Sequence, residues 1–149
     1  MLKIFINGIS VVLLSFGFCL DPGRSFAQLR VDITDGNPKP LPIAVTEFFS
    51  ADPNASKLGN SIVRVISNDL ERSGLFKLID PRAFIQSRES LRRFPQFPTW
   101  RQINAQALVV GTTENLENGK LRVDFRLWDV FSSKQLIGRR LETEPGNWR

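Results

Sequence analysis

The chain has no histidine and no tyrosine, and its one cysteine, Cys19, lies near the start. Without histidine, the commonest general base near neutral pH is missing. A Ser-His-Asp arrangement is excluded, and so are zinc sites built from His and Cys. No glycine-rich phosphate loop is present; Leu58-Gly59-Asn60 has no second glycine nearby. Long apolar runs are also scarce. The single one spans residues 4–20 and is broken by Asn7, Ser10 and Ser15, which makes it marginal as a membrane span.

That run has the order of a secretory signal: Lys3 ahead of it, Asp21-Pro22-Gly23 after it, then the small-x-small site Ser25-Phe26-Ala27. Cleavage is expected after Ala27. Gly17-Phe18 places a bulky ring before Cys19, which argues against a lipoprotein signal. The sequence thus divides into a signal peptide over 1–27 and an exported domain over 28–149. The exported part has no cysteine and forgoes disulfides in a compartment that permits them. The net charge of +5 is modest and is better explained by a solvated surface than by nucleic acid.

Leu29 to Thr34 alternates apolar and polar residues, the period of a half-buried strand. Asn37-Pro38-Lys39-Pro40-Leu41-Pro42 reads as a stiff connector. A second strand is expected over Ile43–Phe49. A helix follows over about Ser56–Ser73, with a stripe of Leu58, Ile62, Val65, Ile66 and Leu70 and a glycine cap at Gly74. Phe76–Asp80 reads as a third strand. Thr99 reads as the N-cap of a short helix, Trp100–Gln106. Ala107–Gly111 is continuously apolar, as in a buried strand. Leu121, Val123, Phe125 and Leu127 alternate with Arg122, Asp124 and Arg126, and Asn118-Gly119 ahead of them is a hairpin signal. Gln135–Thr143 is expected to pair back on that strand. The fold class is α/β: a mixed sheet of about five to six strands packed by two helices, with the helices on one face. Asn147 reads as the N-cap of a further helix, so the sequence reads as the front part of a longer protein.

Carboxylates are the remaining route to chemistry. Asp32-Ile33-Thr34-Asp35-Gly36 faintly suggests a calcium loop, but the distal bidentate glutamate is missing. Glu114 and Glu117 flank a turn and are better read as solvated than as a glycosidase pair. No metal, cofactor or catalytic residue is therefore expected. Arg82, Arg88, Arg92, Arg93 and Arg101 read as a solvated surface, with a docking face for an acidic partner as the alternative. The tryptophans, Trp128 among them, are better placed in the core than on a ligand platform. The alternating N-terminal segment can pair with the domain's own sheet or with a partner's edge.

Four blocks, in order, carry a resemblance: Lys39-Pro40-Leu41-Pro42-Ile43-Ala44-Val45; the run Ile66–Phe76; the run Trp100–Gly111; and Phe125-Arg126-Leu127-Trp128-Asp129-Val130. The chain resembles the N-terminal domain of the TolB family, the periplasmic component of the Tol-Pal envelope system. The resemblance implies a non-catalytic protein that supports outer-membrane integrity and constriction at division, and that some bacteriocins exploit. It implies that the mature N-terminal segment, here Gln28, Leu29, Arg30, Val31, Asp32, Ile33 and Thr34, binds the inner-membrane protein TolA. In that family a six-bladed propeller follows and binds the lipoprotein Pal. No propeller is present in this sequence, so Pal binding is not expected of it. A periplasmic carboxylate-based hydrolase and a truncated remnant are the competing readings.

Overall fold

The computed structural model describes residues 39–148. The signal segment, the alternating segment Gln28–Thr34 and the calcium-like run lie outside the described residues. Five strands form one mixed sheet in the order β2-β1-β3-β4-β5, where β1 is Leu41–Val45, β2 Phe76–Leu78, β3 Ala107–Asn115, β4 Leu121–Asp129 and β5 Lys134–Thr143. β1 runs parallel to both β2 and β3, with Ile43 opposite Leu78 on one side and Ala107 on the other. β3, β4 and β5 form an antiparallel meander.

β1 begins two residues before the expected start and ends at Val45. Pro42 lies inside it, lacking a donor, while its carbonyl still accepts from Gln106 N at 2.9 Å. Beyond β1 the chain turns Phe48 fully inward, and Phe49 makes an isolated parallel bridge to Thr112. Close approach at this point needs a glycine. A Cβ on Gly111 would lie 2.7 Å from Phe48 Cε1 and 2.8 Å from the Asp124 carbonyl oxygen.

The long helix α1 (Pro53–Arg72) starts three residues before the expected position. Asp52 is its N-cap, accepting from Asn54 N at 3.0 Å and Ala55 N at 3.3 Å, and Pro53 occupies the first turn. Gly74, at φ +71°, follows the helix end as expected. Of the expected stripe, Leu58, Ile62, Ile66 and Leu70 meet the core. Val65 does not; Val63 takes its place against the core, and Val65 lies beside Asn68 and Asp69 on the outer surface.

The helices do not share one face. α1 packs on Leu41, Ile43, Val45, Val109 and Val123. Two short helices, α2 (Arg88–Arg93) and α3 (Phe97–Gln102), cover the opposite face through Leu91 and Trp100, against Ala44, Leu108 and Val110. The physical reason is the sheet's centre: β1 and the first half of β3 carry apolar side chains on both sides, so both sides need cover. The second short helix begins at Phe97, not Trp100. Gln96 is its cap residue, Pro98 sits in the first turn, and Thr99 is inside it, donating from Oγ1 to Gln96 O at 2.8 Å.

The β3–β4 hairpin turns where the sequence predicts. Gly119 has φ +80°, Gly119 N donates to Leu116 O at 2.9 Å, and Lys120 N donates to Asn118 Oδ1 at 3.0 Å. The β4–β5 turn is held from inside. The buried carboxylate of Asp129 accepts from Phe131 N at 2.9 Å and Ser132 N at 3.2 Å.

Candidate protein-binding site

The segment singled out by the sequence, Gln28–Thr34, lies outside the described residues. The domain that carries it sorts the arginine-rich stretch into two groups. Arg82, Arg88 and Arg101 are engaged internally. Arg82 pairs with Asp80, through Nε at 3.0–3.1 Å and Nη2 at 2.5 Å. Arg88 reaches Glu47 at 3.0 Å and the Phe48 carbonyl at 3.3 Å, and stacks 5.5 Å above the Phe49 ring. Arg101 crosses to the β4–β5 turn, donating to Val130 O at 3.1 Å, Phe131 O at 3.2 Å and Ser133 Oγ at 2.8 Å. Arg92 and Arg93 are exposed in the last turn of α2.

Asp80 caps the one-turn 3-10 helix Pro81–Ala83, accepting from Arg82 N at 2.9 Å. The hydrogen bonds from the Arg82 side chain and backbone hold its carboxyl down from 3.8 to about 2. Because the folded value lies below the ordinary one, this cap stabilises the fold above about pH 4. Its contribution is lost as pH falls toward 2. A carboxyl-carbon NMR titration of the folded protein is expected to show an Asp80 midpoint near 2. An Asp80 midpoint near 4 contradicts the cap.

The other acids flagged by the sequence are occupied or apart. Glu114 and Glu142 both take Arg122, at 3.4 and 3.1 Å, and Asp124 takes Arg140 at 2.7 Å. Glu117 is exposed at the hairpin. Among the described residues no three acids, histidines or cysteines gather as a metal site, and no helix is long and apolar enough to cross a membrane.

A groove of about 590 Å³ opens beyond the carboxyl end of β1, lined by Thr46, Glu47, Asn60, Arg64, Phe84 and Arg88 among others. Connections leave the sheet there on opposite faces, the position where open α/β sheets commonly receive ligands. The side chain beneath it is Gln86, buried at 7% exposure. Its Oε1 accepts from Gln96 N at 2.7 Å and Trp100 Nε1 at 2.8 Å, and its Nε2 donates to Phe94 O at 2.9 Å. All its main valences are used within the fold, so Gln86 positions the α2–α3 segment. Sequence reading missed this residue because a glutamine beside an arginine-rich stretch carries no local sign of burial.

Trp100 lies in the core at 1% exposure, edge-on to Phe84 with ring centroids 5.0 Å apart. Trp128 packs between Phe94 and Phe97, each 5.5 Å away, on the α2–α3 face. On the far side of the sheet β5 forms the long edge. It is exposed from Lys134 through Glu142, with Ile137 and Leu141 uncovered beside Leu127 and Val123. Such an edge offers unpaired backbone groups to another chain.

These features define a class: a small α/β domain with a two-sided core, whose described acids are mostly engaged in ion pairs and hydrogen bonds within the fold and whose open surfaces suit contacts with other chains. The model of the TolB amino-terminal domain matches residues 29–136, and the chain belongs to that family. It is similar to the Tol-Pal system protein TolB of Paramagnetospirillum magneticum, 52% identical over 123 residues, covering 83% of this chain and 28% of the relative. The chain thus spans little more than a quarter of that relative's length. Among solved structures, TolB from Acinetobacter baumannii superposes with a TM-score of 0.57 at 19% identity, over 74% of this chain and 25% of that one. The C-terminal domain of LpoB from Salmonella enterica reaches 0.51 at 14% identity, over 74% of this chain and 87% of that one. At those identities the structural likenesses speak for the fold alone.

Proposed function

We propose that the chain is a non-catalytic, periplasmic protein-binding component of the Tol-Pal system. In this reading it supports outer-membrane integrity and constriction at division by docking the mature segment Gln28–Thr34 on a TolA-type inner-membrane protein. The observation that carries the reading is the span of the family match. It begins at residue 29, so it takes in the alternating segment together with the sheet. The alternation of Leu29, Val31 and Ile33 with Arg30 and Asp32 in the sequence suits addition to a partner's sheet edge. The commitment of Glu47, Asp80, Asp124 and Glu142 to arginines supports the absence of carboxylate chemistry.

Deleting Gln28–Thr34 tests it. Calorimetry with the C-terminal domain of a TolA-type protein is expected to lose its binding heat entirely, while the deleted form still folds, as read by circular dichroism and cooperative thermal unfolding. Unchanged binding by the deleted form overturns the proposal.

A further inference from the structure

Arg92 and Arg93 at the end of α2 and Arg126 on β4 line one cleft of about 100 Å³, over a floor that includes Phe94 and Trp128. Among the described residues none of these three side chains has an ion pair or a hydrogen bond, whereas Arg72, Arg82, Arg88, Arg122 and Arg140 each have an acid. The one acid on the cleft wall, Asp124, is already held by Arg140 at 2.7 and 3.2 Å. The helix end accounts for basic residues at Arg92 and Arg93. It does not account for Arg126 on the neighbouring strand. Trp128, which lines the cleft, has an indole N–H that is buried with no hydrogen-bond partner. Next to the cleft, and sharing Phe49, Arg92 and Thr112 with it, a wider trough of about 880 Å³ is lined by the acids Asp52, Glu89 and Glu114, which confines an acidic segment to the cleft.

We propose that this cleft docks an acidic segment of a partner protein, seating a glutamate or aspartate among the three guanidinium groups and an adjacent apolar side chain on the aromatic floor. The inference goes beyond the docking of Gln28–Thr34 and does not depend on it. Guanidinium forks match carboxylates in geometry as well as charge. The recess favours a chain over a bilayer, because a flat surface reaches protruding cations and not those lining a cleft.

The test uses the whole chain and a fluorescein-labelled Glu-Glu-Leu-Glu-Glu peptide, read by fluorescence anisotropy. Saturable binding is expected, weakening as salt rises from roughly 0.02 to 0.15 M. Arg126→Glu, and Arg92→Glu combined with Arg93→Glu, are each expected to weaken it at least about tenfold. Arg64→Glu, the same charge change at an exposed and unpaired arginine on α1, is expected to change it less than about twofold. Arg126→Gln serves as a milder variant should the charge reversals disturb folding, and circular dichroism checks each. Binding is expected to persist without Gln28–Thr34, so this inference and the proposed function fail separately. The inference is overturned by absence of saturable binding, by equal loss in the Arg64 variant, or by capture of phosphatidylglycerol vesicles through these arginines with no peptide binding.

Discussion

Gln86→Leu is expected to cost the domain about 1–3 kcal/mol, a sizeable part of the roughly 5–15 kcal/mol that holds a domain of this size folded. Leucine fills similar space but makes none of the three hydrogen bonds that tie Gln86 to Phe94, Gln96 and Trp100. Phe94 is 56% exposed, so its carbonyl can turn to water. Gln96 is exposed as well, so its amide can also turn to water, whereas the buried Trp100 indole N–H loses its acceptor. Each buried donor left unsatisfied costs about 1–3 kcal/mol. In urea the midpoint is expected to fall while the slope stays that of the parent, since the surface exposed on unfolding barely changes. A loss under about 1 kcal/mol means that the segment repacks around leucine and that Gln86 does not hold it. Gln86→Glu is expected to destabilise as well: it keeps the acceptor but loses the donor to Phe94 and brings a charge into a buried place.

The second large effect is Trp100→Ala, at about 3–5 kcal/mol. Trp100 is the largest fully buried side chain among the described residues. It joins α3 to Ala44, Leu108 and Val110 on the sheet and touches Phe84 edge-on. Alanine leaves a cavity that the short helices, held also by Leu91, Phe97, Gln86 and the hydrogen bonds of Arg88 and Arg101, cannot close without losing their seats. Trp100→Phe is expected to be milder, because it keeps most of the packing and removes one of two donors to Gln86 Oε1. The two sites share a hydrogen bond, so the double variant Gln86→Leu with Trp100→Ala is expected to fall short of the sum by on the order of 1 kcal/mol. Full additivity in chemical denaturation means that the bond between them contributes nothing to the fold.

Both predictions fall on the part of the chain that was hardest to read. The helix Arg88–Arg93 has one buried residue, Leu91, and six residues with a single apolar position show no period. Its one local signal is Ser87, whose hydroxyl caps Ser90 N at 3.4 Å. Phe97-Pro98 marks the start of the next helix through the proline in its first turn, a stronger signal than Thr99. The elements with a sustained pattern were legible: α1 from its stripe and Gly74, β4 from seven alternating residues, and the hairpin from Asn118-Gly119. Val65 and Val63 were exchanged because a stripe assigned from spacing alone has an uncertain edge, and the angle at which α1 meets β3 decides which valine is covered.

The sequence by itself determined that histidine- and cysteine-based chemistry is excluded from residues 28–149. It determined the α/β class, and through four ordered blocks it pointed to the TolB family. These rest on residue identity and on backbone preferences that act over a few neighbours. Only the tertiary structure decided that the core has two sides, that Gln86 is a buried tie, and that Arg82, Arg88 and Arg101 are engaged while Arg92, Arg93 and Arg126 stay free around one cleft. The physical reason is that a side chain's partner is set by which strands lie side by side. β3 and β4 bring Arg126 under the end of α2, a proximity that no spacing along the chain encodes.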